Sequence, residues 1–348
     1  MQKKILVTGG CGFLGSHTCL ALLEKGYEVW IIDSLLNSSP ISLERVKILS
    51  KKPDKIRLFT GDLRDINFLK EVFLKAKNKN NTFLGVIHFA GLKSVSESID
   101  KPINYWDNNV ISTINLLNVM DEYKCRTIVF SSSATIYKLN ENDQNLIKET
   151  SDINSINPYG TNKIVIEKLL NDVYNSSPNE WSISSLRYFN PIGAHDSGLI
   201  GEDPRGTPNN LFPLIMQTAI QRVEKLKIFG NDWPTPDGTG IRDYIHVLDL
   251  ADAHILMLEF LLLENPQILS LNLGTAQGTS VLELITTFEM VNNIKIPYEF
   301  SERRPGDKST VYSNCDLAKN ILGWEAKKNI SEMCKDGWNW QINNPVGY

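Results

Sequence analysis

Through the first half of the chain, short apolar stretches alternate with longer stretches in which apolar residues recur every three or four positions. The short stretches predict buried strands, and the longer ones predict helices. Regular alternation of this kind is typical of an α/β protein with a doubly wound, Rossmann-type parallel sheet. The expected strands are Ile5–Val7, Val29–Asp33, Ile56–Thr60, Val86–Ala90, Thr127–Ser131 and Ile183–Leu186, and the main expected helices are Ile103–Asp121 and Tyr159–Tyr174.

The pattern changes after about residue 189, where glycine and proline become dense and the elements become shorter. A chain of 348 residues is long enough for about two domains. We therefore expect a sheet domain over residues 1–189 and a smaller α/β domain over 190–348, with some crossing of the chain between the two. The elements expected after the boundary are Leu226–Phe229, Tyr244–His246, a helix at Leu248–Leu262, and Leu271–Leu273.

Composition narrows the class of protein without naming a function. Hydrophobic residues make up 42% and charged residues 22% of the chain, as in an ordinary globular protein. The net charge is −4 and there is no basic run, so a nucleic-acid surface is not indicated. No apolar stretch reaches the ~18 residues of a membrane span, and no secretory signal precedes the first strand. The five cysteines are scattered without metal-ligand spacing, so we expect a reducing cytoplasm and no metal.

A glycine-rich turn follows the first expected strand. Gly9, Gly12 and Gly15 would let the turn close, let the backbone approach a pyrophosphate, and let the next helix pack on the strand. The second strand ends in Asp33, and no arginine follows it directly. A carboxylate at that position binds ribose hydroxyls and repels a 2′-phosphate, so the pattern predicts NAD as cofactor.

A second motif lies at the start of the expected helix Tyr159–Tyr174. Tyr159 and Lys163 are four residues apart and so share one helix face. Asn157 is a good N-cap and Pro158 suits the first helical position. The helix dipole and the lysine charge would both favour a phenolate. The pair predicts a general base for an alcohol, although such a pair by itself is more often part of a solvated helix face.

With these two motifs and several others, the chain resembles the UDP-glucose 4-epimerase family of the extended short-chain dehydrogenase/reductase superfamily. The resemblance covers essentially the full length. The matching segments are residues 8–15, Gly61–Arg64, His88–Lys93, Asp107–Val110, Ser131–Tyr137, Asn157–Lys163, Arg187–His195, Pro208–Leu211 and Gly238–Val247.

The resemblance implies an isomerase that holds NAD tightly and interconverts UDP-glucose and UDP-galactose through a 4-keto sugar. Tyr159 would be the base, Lys163 would tune its pKa, and Ser133 would relay the proton. Related dehydratases and decarboxylases carry acidic residues just after this serine. Here Ala134 and Thr135 follow, which suits a reaction that removes one proton and returns it.

The resemblance also assigns binding residues. For NAD these are Gly9, Gly12, Phe13, Leu14, Gly15, Asp33, Asn37, Ser38, Asp62, Leu63, Phe89, Ala90, Lys93, Asn108, Tyr159, Lys163 and Phe189. For the UDP-sugar they are Ser133, Tyr159, Asn190, Asn210, Leu211, Lys227, Ile228, Phe229, Arg242, Arg304, Asp307 and Val311. His88, on an apolar strand, is interpreted as a core histidine with satisfied hydrogen bonds rather than as a ligand.

Several alternatives remain open at the level of sequence. Val311 falls where family members carry either tyrosine or a smaller residue, so the enzyme is also expected to accept UDP-N-acetylhexosamines; a shift of one position to Tyr312 would reverse this inference. The substrate could instead be a UDP-pentose or a UDP-uronic acid. A non-catalytic NAD-binding protein is disfavoured by the intact Ser133, Tyr159 and Lys163. By analogy with the family, a homodimer is expected.

Overall fold

The computed structural model describes residues 3–77, 82–138, 146–206, 208, 210–304 and 306–348. Asn209, which lies within the Pro208–Leu211 segment quoted above, falls outside these residues. The strands are β1 (Lys4–Thr8), β2 (Glu28–Asp33), β3 (Ile56–Thr60), β4 (Gly85–His88), β5 (Thr127–Ser133), β6 (Ser182–Tyr188), β7 (Asn190–Ile192), β8 (Leu226–Phe229), β9 (Ile241–Arg242), β10 (Tyr244–His246), β11 (Ile268–Leu273), β12 (Thr279–Ser280), β13 (Tyr298–Ser301) and β14 (Thr310–Val311).

The helices alternate with the strands in the first half, as the apolar pattern predicts. They are α1 (Phe13–Glu24), α2 (Ile41–Ser50), α3 (Ile66–Ala76), α4 (Val95–Asp100), α5 (Pro102–Tyr105), α6 (Ser112–Glu122), α7 (Pro158–Ser176), α8 (Leu211–Ala219), α9 (Val247–Leu263), α10 (Val281–Asn292), α11 (Asp316–Leu322) and α12 (Ile330–Asn343). Among the residues that the structure describes, none of these helices combines the length and the apolarity needed to cross a membrane.

Within the described residues, seven strands form one sheet in the order β11-β6-β5-β4-β1-β2-β3. The pairs β1–β2, β2–β3, β1–β4 and β4–β5 are parallel. The order reverses between β1 and β4, which is the switch point where Rossmann-type sheets bind dinucleotides. The predicted fold class is confirmed.

The chain divides into two compact units that interleave along the sequence. Unit 1 comprises Met1–Ile136, Ile153–Arg187 and Ala251–Leu271, and unit 2 comprises Tyr137–Asp152, Tyr188–Leu250 and Asn272–Tyr348. The core of unit 1 contains Leu6, Ile32, Phe73, Val86 and Phe130. The separate core of unit 2 contains Phe212, Ile228, Leu284, Phe288 and Met333.

Three predicted elements are wrong in extent or place. The helix expected over Ile103–Asp121 is divided into α5, a π-helical segment at Trp106–Ile111, and α6, although no proline or glycine after Pro102 signals the change. The strand expected to reach Ala90 ends at His88, because the Ala90 N–H bonds to the Thr8 side chain instead. The sequence pattern assigns Leu271–Leu273 to the smaller domain, but this stretch belongs to β11, which pairs with β6 in the large sheet.

Candidate active site

The glycine-rich turn joins β1 to α1 and is closed by contacts between backbone atoms. Gly9 has a φ of 71°, and the Gly12 N–H donates to the Gly9 carbonyl at 3.2 Å. A Cβ atom at Gly15 would lie 2.2 Å from the Gly9 oxygen, so any side chain there would push the helix off the turn. Gly12 caps α1 without a side-chain hydrogen bond, and the first helical turn has no acidic residue. The start of α1 can therefore accept an anion.

Asp33 at the end of β2 organises the neighbouring turns. Its Oδ2 accepts from the Cys11 N–H at 2.9 Å. Its Oδ1 accepts from the Leu35 N–H at 2.9 Å and from the Ser38 hydroxyl at 2.7 Å. Because each carboxylate oxygen can accept more than one hydrogen bond, Asp33 can still bind ribose hydroxyls. Asn37 lies in the same segment.

Three further residues expected to bind NAD, Asp62, Leu63 and Asn108, are more heavily engaged within the protein. The Asp62 carboxylate accepts from the Arg64 N–H at 2.9 Å and pairs with its guanidinium at 2.6 Å. Leu63 is 4% exposed and belongs to the core, so its main chain is the part able to contact a ligand. The Asn108 amide donates at 2.8 Å to both the carbonyl and the side chain of Asn104.

His88, at the end of β4, is buried within a chain of hydrogen bonds. Its Nδ1 lies 2.6 Å from Thr8 Oγ1, and its Nε2 lies 2.9 Å from Thr113 Oγ1. Thr113 donates its hydroxyl proton to the Asn109 carbonyl, so it accepts from the His88 Nε2–H. Thr8 then donates to Nδ1 and accepts from the Ala90 N–H. Burial lowers the pKa of His88 to about 3, and the Lys163 charge adds to this effect. The interpretation as a satisfied core histidine is confirmed.

The loop after β4 is held by an asparagine that sequence reasoning did not select. Asn109 Oδ1 accepts from the Leu92 N–H at 2.7 Å, and its Nδ2 donates to the Leu92 carbonyl at 3.1 Å. Gly91 packs against this amide, since a Cβ there would lie 3.0 Å from Asn109 Oδ1. Lys93 follows Leu92, and the Phe89 ring packs against His254 in a tilted geometry, with 4.7 Å between ring centroids. The only sequence signal was the doubled asparagine at 108–109.

The expected catalytic side chains come together at the ends of β5 and α7. Asn157 caps α7 by accepting from the Gly160 N–H at 2.9 Å, and Pro158 is the first helical residue, as predicted. The Tyr159 phenol lies beside the side chain of Ser133, the last residue of β5, and this contact acts to lower the pKa of the phenol. A Cβ at Gly160 would lie 2.0 Å from Ser155 Oγ and 2.9 Å from the Thr135 carbonyl, so glycine lets the helix start approach the end of β5.

Lys163 is one turn beyond Tyr159 and is anchored on the strand. Its Nζ donates to the Ser131 carbonyl at 2.6 Å and lies 5.7 Å from the centroid of the Tyr159 ring. Burial lowers the pKa of Lys163 to about 8, whereas the nearby Glu167 charge acts to raise it. Burial also raises the pKa of Tyr159 to about 12, against the lowering effect of the Ser133 contact. Desolvation is therefore the dominant influence on the pKa of the Tyr159 phenol.

A buried ion pair supports this arrangement and was missed at the level of sequence. Glu167 and Arg187 are 7% and 6% exposed, and their closest oxygen and nitrogen are 2.5 Å apart. Ser132 donates to Glu167 Oε1 at 2.5 Å. Glu167 continues the helix face of Tyr159 and Lys163, which was the one available signal. The pair ties α7 to β5 and β6.

In unit 2, several residues expected to bind the nucleotide lie near one another. Lys227 and Phe229 alternate on β8 with Ile228, whose side chain is 1% exposed and belongs to the core, so its main chain is the part that can contact a ligand. The Arg304 guanidinium lies 4.2 Å from the centroid of the Phe229 ring. Arg304 Nε is 3.5 Å from Asp307 Oδ2. The cluster offers an aromatic face, cations and a carboxylate.

Arg242, the last residue of β9, belongs to the same neighbourhood. Its Nη1 donates to the carbonyls of Ile241 at 2.8 Å and Lys308 at 2.9 Å. Burial lowers its pKa, while the Asp307 charge acts to raise it and the Arg304 charge to lower it. Two guanidinium groups in one place suit a diphosphate, because arginine pairs well with phosphate oxygens.

The register of β14 bears on the choice between Val311 and Tyr312. Val311 is the parallel partner of Arg242, so the two side chains lie on the same face of the small sheet. The next residue, Tyr312, points to the other face of the sheet. Its ring lies close to Gly278 there, and Ile241 lies beside the same glycine. Val311 is therefore the residue on the arginine side.

The remaining expected sugar contacts lie at element ends in unit 2. Asn190 begins β7 with an exposed side chain, directly after Phe189, which is expected to contact NAD and is 7% exposed. Asn210 is the N-cap of α8 but makes no side-chain capping hydrogen bond, so its amide is available to a ligand. Leu211 is the first residue of α8 and is half-buried.

Comparison with known proteins agrees with this fold. A family model described as GDP-mannose 4,6 dehydratase matches residues 6–337. A UDP-glucose 4-epimerase of Cyamopsis tetragonoloba is 49% identical over 99% of this chain and 96% of its own length. A bifunctional UDP-glucose 4-epimerase and UDP-xylose 4-epimerase of Pisum sativum is 47% identical over 100% of this chain and 98% of its own.

Among solved structures, the UDP-glucose 4-epimerase of Bifidobacterium longum in complex with NAD+ and UDP aligns with a TM-score of 0.92 at 44% identity, covering 99% of this chain and 100% of that one. The glycine turn, Asp33, and the Ser133, Tyr159 and Lys163 set define an NAD-binding enzyme of the extended short-chain dehydrogenase/reductase class. Within that class, the chain belongs to the UDP-glucose 4-epimerase family.

Proposed function

We propose that this protein is an NAD-dependent UDP-glucose 4-epimerase, an isomerase that interconverts UDP-glucose and UDP-galactose through a transient 4-keto sugar. The observation that carries the proposal is the buried Tyr159 phenol, which lies beside Ser133 and one helical turn from the buried Lys163. The residues after Ser133 are Ala134 and Thr135, so the chain supplies no acid there to eliminate water.

The residues of unit 1 are suited to hold NAD. The bare N-terminus of α1 and the closed glycine turn form a cradle for the pyrophosphate, and Asp33 provides acceptors for the adenosine ribose. Phe13, Leu14 and the loop after β4 complete the set of proposed contacts. When bound, NAD would supply reversible hydride transfer at the sugar, so that the overall reaction is redox-neutral.

Tyr159 acts as the base that removes the proton of the sugar 4-hydroxyl and later returns it. Ser133 holds the reacting oxygen and passes the proton between it and the phenol. Because the protein alone leaves the pKa of Tyr159 at about 12, the phenol becomes a competent base near neutral pH when further positive charge enters the site. Lys163 contributes a fixed ammonium, held on the Ser131 carbonyl.

Arg242 and Arg304 are proposed to bind the diphosphate of the UDP-sugar, with Phe229 and Asp307 on the uridine side. The support is their proximity within unit 2 and the pairing of arginine with phosphate oxygens. Asn190, Asn210 and Leu211 are proposed to contact the sugar or its phosphates.

Val311 is proposed to leave room beside carbon 2 of the sugar, so that the enzyme also accepts UDP-N-acetylglucosamine and UDP-N-acetylgalactosamine. The support is its register opposite Arg242, with Tyr312 on the other face. In the Val311→Tyr variant, activity on UDP-N-acetylgalactosamine should fall at least tenfold more than activity on UDP-galactose. No wild-type turnover of the acetylated sugar would refute this assignment.

A homodimer is proposed from the apolar surface of the α4–α6 region. Ile99, Ile103 and Ile111 are 62%, 83% and 44% exposed, which is unusual for side chains that share one part of the surface. Light scattering should give twice the chain mass, and Ile103→Asp should shift the protein toward the monomer. The protein is also proposed to act in the cytoplasm, as an enzyme of galactose metabolism.

The deciding experiment supplies purified protein with UDP-galactose and no added NAD. UDP-glucose should form catalytically, and the Tyr159→Phe variant should keep its NAD but lose about 10²–10⁴-fold in kcat. Accumulation of NADH in proportion to product, or near-wild-type turnover by the variant, would contradict the mechanism. Because the pea relative is named as bifunctional, UDP-xylose should be assayed alongside; a preference for it would identify a pentose epimerase.

A further inference from the structure

Two of the residues proposed to contact substrate lie on a very small sheet. Strands β12, β9 and β14 are neighbours in that order, and each is two residues long. Arg242 ends β9, and Val311 is its partner on β14. The ladder between these strands is extended at its ends by bonds from Ile241 N to Ser309 O at 2.7 Å and from Asp243 N to Val311 O at 3.1 Å. So short a ladder specifies its register weakly.

The carboxylate of Asp243 lies at the end of this sheet and is 0% exposed. Its Oδ1 accepts from the Thr275 N–H at 2.8 Å and from the Thr275 hydroxyl at 2.7 Å. Its Oδ2 accepts from the Ala276 N–H at 3.2 Å, the Ser313 N–H at 3.1 Å and the Ser313 hydroxyl at 2.6 Å. Five donors thus surround one buried carboxylate.

These donors belong to the chain segments that carry the strands. Ser313 lies just beyond β14, Thr275 and Ala276 precede β12, and Asp243 itself follows β9. The carboxylate therefore joins the ends of three strands that are too short to hold one another. Gly274 allows the approach, because a Cβ there would lie 2.4 Å from Asp243 Oδ2.

We propose that Asp243 is a positioning residue for the UDP-sugar: by binding Thr275, Ala276 and Ser313, it sets where Val311 stands relative to Arg242. This inference rests on the proposed function, since it assigns Arg242 to the diphosphate and Val311 to the sugar. Asp243 does not touch substrate, and it acts through the two neighbouring strands.

The isosteric variant Asp243→Asn isolates the electrostatic part of this role. An amide has the same shape, but its NH2 group must face either the Thr275 N–H or the N–H groups of Ala276 and Ser313. Two donors cannot bond to each other, so one strand end must move. Arg242 binds a part of the substrate that does not react, so its displacement weakens ground state and transition state alike and raises KM more than it lowers kcat.

The matched control is Asp249, another buried acid of unit 2. It is 5% exposed, and its Oδ2 accepts from the N–H groups of Lys327 and Lys328 at 3.1 and 2.9 Å. It makes none of the bonds described for β9, β12 and β14. Asp249→Asn should lower the melting temperature without changing KM.

The experiment measures KM and kcat for UDP-galactose in the NAD-loaded wild type and in both variants. Asp243→Asn should raise KM at least tenfold with kcat within about threefold of wild type, while Asp249→Asn should leave KM within twofold. Equal changes in KM in the two variants, or a KM within twofold of wild type for Asp243→Asn, would overturn the proposal. Wild-type turnover tests the proposed function separately.

If Asp243→Asn does not fold, Ser313→Ala decides the question. It removes one of the five hydrogen bonds and leaves the backbone donor of the same residue in place. KM should then rise by about two- to fivefold at unchanged kcat, and an unchanged KM would overturn the proposal.

Discussion

Replacement of Glu167 by glutamine should destabilise unit 1 and shift the pH dependence of catalysis at the same time. The Glu167 carboxylate accepts from Ser132 and pairs with Arg187, and both charged side chains are less than a tenth exposed. Glutamine keeps the size of the side chain and one acceptor oxygen. It removes the carboxylate charge that faces the buried Arg187 guanidinium.

The structure sets the size of the expected loss. Removal of one partner from a buried ion pair destabilises a protein by about 3–5 kcal/mol. An unfolding entropy of about 2.1 cal/mol/K per residue amounts to about 0.7 kcal/mol/K for 348 residues. The melting temperature of Glu167→Gln should therefore fall by about 4–7 °C.

The pH effect has a definite sign. Burial lowers the pKa of Lys163 to about 8, and the Glu167 charge acts against that lowering. Without the charge, the pKa of Lys163 falls further, so its ammonium is lost at a lower pH. The alkaline limb of kcat should move to lower pH, while kcat well below the limb should change little.

Thermal unfolding followed by circular dichroism measures the first effect, and kcat for UDP-galactose between about pH 5.5 and 9.5 measures the second. The control is Glu325→Gln, which breaks the exposed pair with Lys319 and should change neither quantity. A melting temperature within about 1 °C of wild type, or an alkaline limb that stays in place, would refute the reasoning.

Two further outcomes follow from the geometry of unit 1. Gly15→Ala should retain less than a tenth of the bound NAD, measured by release and absorbance, because its Cβ would lie 2.2 Å from the Gly9 oxygen; stoichiometric NAD would contradict the close helix–turn contact. Since burial lowers the pKa of His88 to about 3, its imidazole stays neutral in the fold while the unfolded chain takes up a proton below about pH 6.5. Stability should fall as the pH decreases through this window, and near pH 5 wild type should take up about one more proton on unfolding than His88→Asn; equal uptake would refute a neutral His88.

The sequence by itself determined the features that depend on local chemistry. The glycine turn, Asp33, and the cap of α7 by Asn157 and Pro158 are each encoded within a few neighbouring residues, because turn geometry and capping act over short distances. The apolar alternation determined the fold class for the same reason. Recognition of Tyr159 and Lys163 as partners required only the spacing of one helical turn.

Only the tertiary structure decided the features whose partners are distant in the chain. Glu167 on α7 pairs with Arg187 on β6 and accepts a hydrogen bond from Ser132 on β5. Asp243 accepts hydrogen bonds from Thr275 and Ser313, which lie near the other two strands of the small sheet. Likewise, β11 belongs to the large sheet because it pairs with β6. The side chain of Leu63 is buried in the core of unit 1, and that of Ile228 is buried in the core of unit 2.

Burial is also what sets the strength of the base. The spacing of Tyr159 and Lys163 indicated a lowered tyrosine pKa, but desolvation in the folded protein raises it to about 12. Desolvation depends on everything packed around a group rather than on its neighbours in sequence. Identity and spacing therefore predicted the catalytic residues that we propose, and packing decides their pKa values and their positions.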